Sequence, residues 1–154
     1  MSGVIITRCT DAAQFDAILA LVHETFGALV PPSGALSETV DDVATRFEAG
    51  PILLAHHGED LVGSLYCAPK GDGLYLTRMA VRPSRQKQGI GRTLLAAAEG
   101  EARGLGIAKL TLRVRLNLPD NRAYFERAGF IVTGQGQDPG RPPYESMKRK
   151  LAIA

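Results

Sequence analysis

The run from Leu74 to Leu116 constrains the fold more than any other part of the chain. Leu74–Arg82 is strand-like and closed by Pro83; a polar turn follows, then Gly89-Ile90-Gly91. From there a helix is predicted to about Arg103, burying Ile90, Leu94, Leu95 and Ala98. Gly104 and Gly106 stop it, and Lys109–Leu116 is β-branched and alternating. A strand, a helix and a second strand in succession imply a parallel pair with a right-handed crossover. The preceding segments run the other way. Ile52–His57 and Asp60–Ala68 flank a turn at Gly58-Glu59, and Gly71-Asp72-Gly73 turns the chain into Leu74, a meander of antiparallel strands. The mixture predicts an α/β or α+β layer fold with one partly open sheet.

The flanking segments fit one layer each. Val4–Cys9 reads as an opening strand. Thr10 reads as the N-cap of a helix from Asp11 to about Ala28, with Phe15, Ile18, Leu19, Val22 and Phe26 at helical spacing. Pro31-Pro32-Ser33-Gly34 breaks it, and Ser37 caps a second helix to Ala49 with Val40, Val43, Ala44 and Phe47 on one face. Pro119 opens a short helix to Ala128 and Gly129 ends it. Phe130–Thr133 and Tyr144–Leu151 are the last strands, separated by the Gly- and Pro-rich loop Gly134–Pro143. No repeat or linker divides the 154 residues, so a single domain, 1–154, is expected.

Several function classes lose support at this level. No apolar run approaches the ~18–20 residues that span a bilayer. Met1-Ser2-Gly3-Val4 lacks a basic leader region, and Cys9 and Cys67 each lie in apolar strand-like runs, which points to buried thiols and a cytoplasmic setting. His23-Glu24 lacks a second metal-spaced His, and two distant cysteines make no metal site. Gly63-Ser64 lacks the glycine of a nucleophile elbow. The net charge of +2 is uneven. Residues 1–60 hold nine acids against Arg8 and Arg46, giving −7, so the remainder is +9. Between Gly73 and Ala98 there is no acid, while Arg78, Arg82, Arg85, Lys87 and Arg92 are basic. A polyanionic partner fits that stretch. Nucleic acid is disfavoured, because Tyr75 is its only aromatic and stacking side chains are missing.

The turn itself carries chemistry. Small residues at a helix start let an anion reach N–H groups that have no partner within the helix. A dinucleotide fingerprint is excluded because Gly89-x-Gly91 is followed by Leu94 where a third glycine belongs, and no Gly-Lys-Ser/Thr ends the turn. The full string Met79-Ala80-Val81-Arg82-Pro83-Ser84-Arg85-Gln86-Lys87-Gln88-Gly89-Ile90-Gly91-Arg92-Thr93-Leu94-Leu95 resembles motif A of the GNAT acyltransferase superfamily. Gln86, Gly89 and Gly91 fall on its defining positions, and Lys87 stands where the family often has Gly. The resemblance implies a GNAT-like single domain with a mixed, mostly antiparallel sheet of about six or seven strands and about four helices. It also implies that the backbone from Gln86 through Lys87, Gln88, Gly89, Ile90 and Gly91 to Arg92, with Thr93, cradles the pyrophosphate of acetyl-CoA. Met79, Ala80 and Val81 would pair with the pantetheine arm as an added strand, the Met79 backbone polarising the thioester carbonyl. Arg85 and Lys87 would meet phosphates.

Asn121 to Phe130 resembles motif B, which ends Tyr-x-x-x-Gly-Phe and whose Tyr protonates the departing thiolate in many members. Counting back from Gly129, that position is Phe125, and Tyr124 lies about 100° away on the helix. Tyr124 is either a packing residue or, after a local shift, the acid; Asn121 is a candidate contact for the pantetheine amides. Thr77 stands where many relatives have a basic Glu, leaving His23, Glu24, His56, His57 and Glu145 as candidate bases. The resemblance thus implies an acetyl-CoA-dependent N-acetyltransferase acting on a small-molecule or peptide amine by direct transfer, with no nucleic-acid or membrane partner and with pairing into a homodimer. The alternative is a catalytically silent acyl-CoA-binding sensor or regulatory module. The acidic N-terminal helices predict a cationic acceptor.

Overall fold

The computed structural model describes residues 3–27 and 34–152. The predicted helix end at Ala28 and the Pro31–Ser33 breaker lie outside them. The chain order is β1 (Val4–Arg8), α1 (Phe15–Phe26), α2 (Val40–Ala49), β2 (Ile52–His57), β3 (Asp60–Lys70), β4 (Gly73–Val81), α3 (Ile90–Gly104), β5 (Lys109–Arg115), α4 (Pro119–Arg127), β6 (Ile131–Gly136) and β7 (Tyr144–Lys150). One seven-stranded sheet runs in the order β1-β2-β3-β4-β5-β7-β6. Every neighbouring pair is antiparallel except β4–β5. The predicted mixed α/β layer is therefore observed, with the parallel pair joined through α3.

Two cores lie on opposite faces. Leu65, Leu74, Leu94, Leu110, Phe130 and Met147 are buried on the α3 and α4 face. Phe15, Ile18, Val22, Val43, Ile52 and Tyr66 are buried beneath α1 and α2. Cys9 and Cys67 belong to different cores, and both are free and buried. Gly63 lets α3 close on the sheet, since a Cβ there would meet Ile90 at 3.0 Å and Leu94 at 3.2 Å. No helix among the described residues is long and apolar enough to cross a membrane.

The helix starts differ from expectation. Asp11, not Thr10, caps the first turn: its carboxylate accepts from the Ala13 N–H while the Gln14 amide oxygen accepts from the Thr10 and Asp11 N–H groups. That reciprocal box makes residues 12–14 a 3₁₀ turn and delays α1 to Phe15. Likewise Thr39 replaces Ser37 as the cap of α2, with its N–H bonded to Asp42 at 2.7 Å. β6 extends to Gly136 rather than ending at Thr133.

Candidate functional site

The helix α3 starts on a left-handed residue. Gly89 is its N-cap at φ +84°, and Lys87 is also left-handed at φ +65°. The second value explains why glycine suits position 87: lysine there carries steric strain of ~1–2 kcal/mol. The Gln86 amide is tied back to the Val81 carbonyl at 3.1 Å, which pins the turn to the end of β4. At the other side, Thr93 returns both its N–H and its hydroxyl to the Gly89 carbonyl. Between those anchors the backbone N–H groups of Lys87 to Arg92 have no protein acceptor among the described residues. They lie at the positive end of a 15-residue helix. Lys87 and Arg92 are exposed, Arg85 is half-buried, and none has a carboxylate partner among the described residues.

Next to this turn the sheet opens. β4 and β5 pair only at Leu74–Leu110 and Tyr75–Thr111, then diverge. On its other edge β4 is bulged, because the register passes from Ser64–Ala80 to Tyr66–Thr77 and sets Arg78 and Met79 together opposite Leu65. Arg78 is left-handed at φ +52°. Its guanidinium meets the Glu38 carboxylate at 2.6 Å, a group only 9% exposed, and this ion pair holds the strained residue in place. The result is a cleft of about 330 Å³ that passes between the diverging strands. Leu76, Met79, Leu95 and Phe125 line its apolar side.

Tyr124 comes from α4 to the start of α3 and is not part of the cleft lining. A Cβ built on Gly91 would lie 2.7 Å from the Tyr124 hydroxyl and 3.5 Å from the Met79 methyl. The Tyr124 side chain lies over the start of α3, while Phe125 lines the cleft and packs on Phe130 with ring centroids 5.6 Å apart. Burial raises the Tyr124 pKa, with Arg92 and Arg127 opposing it, so the phenol is neutral at ordinary pH. Asn121 is exposed on α4 and is not part of the cleft lining.

The acetyltransferase (GNAT) family model matches residues 15–130, three-quarters of the chain. The chain belongs to the GNAT family. Among curated proteins, a bovine probable N-acetyltransferase 14 is 32% identical over 109 residues, which is 69% of this chain and 47% of that protein. The chain thus spans about half the length of the curated relatives it matches. Among solved structures, the ribosomal-protein-S18-alanine N-acetyltransferase of Escherichia coli superposes with a TM-score of 0.79 at 21% identity, covering 98% of this chain and 96% of that one. A PaiA N-acetyltransferase of Thermoplasma acidophilum, solved with coenzyme A, gives 0.80 at 17% identity, covering 96% and 99%. At those identities the likeness is one of fold, and the fold is the GNAT fold.

Within this GNAT chain none of the five candidate bases lines the cleft. Glu145 is buried, with its carboxylate bonded to Arg122 and Gln135, so it ties α4 to the last hairpin. Glu24 pairs with Arg82 at the surface. The His23 ring contacts the Glu38 carbonyl, and His57 pairs with Asp60 across the end of the β2–β3 hairpin, with His56 beside it. Thr77 accepts from Arg46 at 2.8 Å. Among the described residues no group of three or more metal-type ligands occurs. The expected cationic acceptor rests on the acids of residues 1–60. Asp41 and Asp16 are exposed, Asp42 caps α2 and Glu38 is paired, so the acids counted in residues 1–60 do not line the cleft. Its polar side instead carries Arg78, Arg113, Arg115 and Arg141 against Asp138.

Proposed function

We propose that this chain binds acetyl-CoA across the turn Gln86–Thr93 and the β4–β5 gap and transfers the acetyl group to an amine in a ternary complex, residues 1–154 acting as one transferase domain. The observation that carries this reading is the row of N–H groups from Lys87 to Arg92, which, like the side chains of Arg85, Lys87 and Arg92 flanking it, have no partner among the described residues. A pyrophosphate satisfies those donors and those charges together. The cradle also fits in shape, since Gly89 leaves the backbone bare, with nothing within 4 Å of where a Cβ would stand. Acetyl-CoA supplies an activated thioester carbonyl.

The protein's own residues then bind, orient and move a proton. The β4 edge beyond Tyr75 has no β5 partner, so Leu76 to Val81 offer main-chain groups to an extended amide chain. The bulge at Arg78–Met79 re-aims the backbone there, and the Met79–Ala80 peptide serves as the fixed donor for a carbonyl oxygen. As the new C–N bond forms and the C–S bond breaks, Tyr124, neutral and lying over Gly91 beside Met79, gives its hydroxyl proton to the departing sulfur, and the proton lost by the attacking nitrogen restores the phenol by way of solvent. Asn121 has no such placement in support, and a contact to the cofactor amides remains its proposed role on the motif alone.

Thiol release tests the reading. The purified chain, incubated with acetyl-CoA and a broad amine panel, should liberate free CoA with at least one amine. Cys9 and Cys67 are buried and their thiols are pushed up by desolvation, Cys67 to about 12, so a thiol reagent sees little background from the folded protein. Tight acetyl-CoA binding without release across the panel would instead make the chain a silent acyl-CoA-binding module.

A further inference from the structure

The polar side of the cleft is built by the strand alternation of β5. Leu112 and Val114 point into the α3 core, so Arg113 and Arg115 share the opposite face. Arg113 lies over the Tyr144 ring at 4.3 Å and is 3.5 Å from Asp138. Arg141 lines the same mouth from the loop before β7 and forms no ion pair among the described residues. Across the gap on β4, Arg78 is matched by Glu38, and Arg46 behind it bonds Thr77 and stacks on Tyr66 with no carboxylate of its own among the described residues. Guanidinium groups therefore outnumber carboxylates around the opening into which the thioester would point.

Resting on the transferase reading above, we propose that the acceptor is an amine that also carries a carboxylate, held by Arg113 and Arg141 at the mouth of the cleft. Arg141 is a free planar fork that matches a carboxylate in two contacts, and Arg113 is already fixed in orientation by Tyr144. The same lining disfavours an ammonium group, since like charges lower its pKa. The acceptor nitrogen is thus bound in the neutral form able to attack, while its carboxylate supplies the anchor. A polyamine or a Lys-rich peptide meets four guanidinium groups and one carboxylate, Asp138, in this lining, a net repulsion.

The test compares alanine with alaninamide, and a Glu-led peptide with its Gln-led counterpart, at equal concentrations of unprotonated amine and saturating acetyl-CoA. CoA release should show kcat/KM at least tenfold higher for the carboxylated member of one pair. Preference within the first pair identifies a free amino acid, and within the second an acidic peptide end. Arg141→Gln should cut that preference by tenfold or more, chiefly through KM, and Arg113→Gln should do the same. Because Arg141 is exposed and has no ion pair among the described residues, its variant should keep the fold. Equal rates within both pairs, or a preference for spermidine, would overturn this inference and leave the transferase reading intact. No release with any amine overturns both.

Discussion

A methyl group added at Gly91 should act on the chemistry through Tyr124 rather than on the fold. The new Cβ would stand 2.7 Å from the Tyr124 hydroxyl, where ordinary contact begins near 3.4 Å, so the hydroxyl must retreat by roughly 0.7 Å. Gly91 lies inside α3 without a left-handed backbone, so alanine gains up to about 1 kcal/mol of helix propensity to set against that contact. Stability should therefore change little. A misplacement of this order costs about a hundredfold in rate when the moved group handles the proton. Tyr124→Phe removes the donor and should cost ~10²–10⁴ in kcat, or ~3–5 kcal/mol. The two changes should not add. Without the hydroxyl, the Cβ at 91 meets only the Met79 methyl at 3.5 Å and ring carbon at 3.6 Å, both ordinary contacts, so Gly91→Ala in the Tyr124→Phe background should lower kcat less than threefold. Stopped-flow or steady-state CoA release on the four proteins measures the cycle. A Tyr124→Phe enzyme within threefold of the parent, or strictly additive losses, would refute the placement of the proton on Tyr124.

Two further outcomes follow from the same physics. Cys67 and Tyr66 are both pushed up to about 12 by burial, and the unfolded groups titrate near 9.0 and 10.0. Over that window the unfolded chain loses protons that the folded chain keeps, so stability present below about pH 9 declines as pH rises toward 12, by about 1.4 kcal/mol per pH unit for each group. Urea melts at pH 8 and 10.5 should show the fall, and Cys67→Val should flatten its first part; stability that rises over the interval would contradict it. At the turn, Lys87→Gly should raise the unfolding free energy by about 1 kcal/mol by removing left-handed strain, while weakening the salt dependence of acetyl-CoA binding. A destabilised Lys87→Gly protein would mean that the left-handed geometry is not the cost assigned to it.

Much of this was legible in the sequence where local rules are strong. The strand, turn and helix around Gly89 appear within a residue of their predicted ends, because a proline, two glycines and a regular apolar stripe all agree there. Helix starts were less legible, since Thr10 or Asp11, and Ser37 or Thr39, are equally suited to cap. The deciding bonds come from Gln14 and Asp42, which only the folded geometry selects. The bulge at Arg78 has no local signal, because a non-glycine residue adopts positive φ there through its ion pair with Glu38, forty residues away. β6 ran past its expected end because Gly136 lies bare against the Tyr144 hydroxyl, leaving room for the ring across the hairpin. The arginine lining was visible in principle. The alternation Leu112-Arg113-Val114-Arg115 marks two arginines on one face, but the sequence does not say that this face opens onto a gap.

The turn from Gln86 to Thr93 is tested most directly by calorimetric or fluorescence melting of the chain with and without acetyl-CoA, beside Gly89→Val. At a ligand concentration of 100 Kd the parent should gain about 2.7 kcal/mol, a rise of roughly 5–11 °C in a domain of this size. Valine at a φ of +84° cannot keep the left-handed cap, so the variant should melt cooperatively at a lower temperature and gain nothing from acetyl-CoA. A parent protein with no shift, or a Gly89→Val protein with the full shift, would contradict the assignment of this turn as the pyrophosphate site.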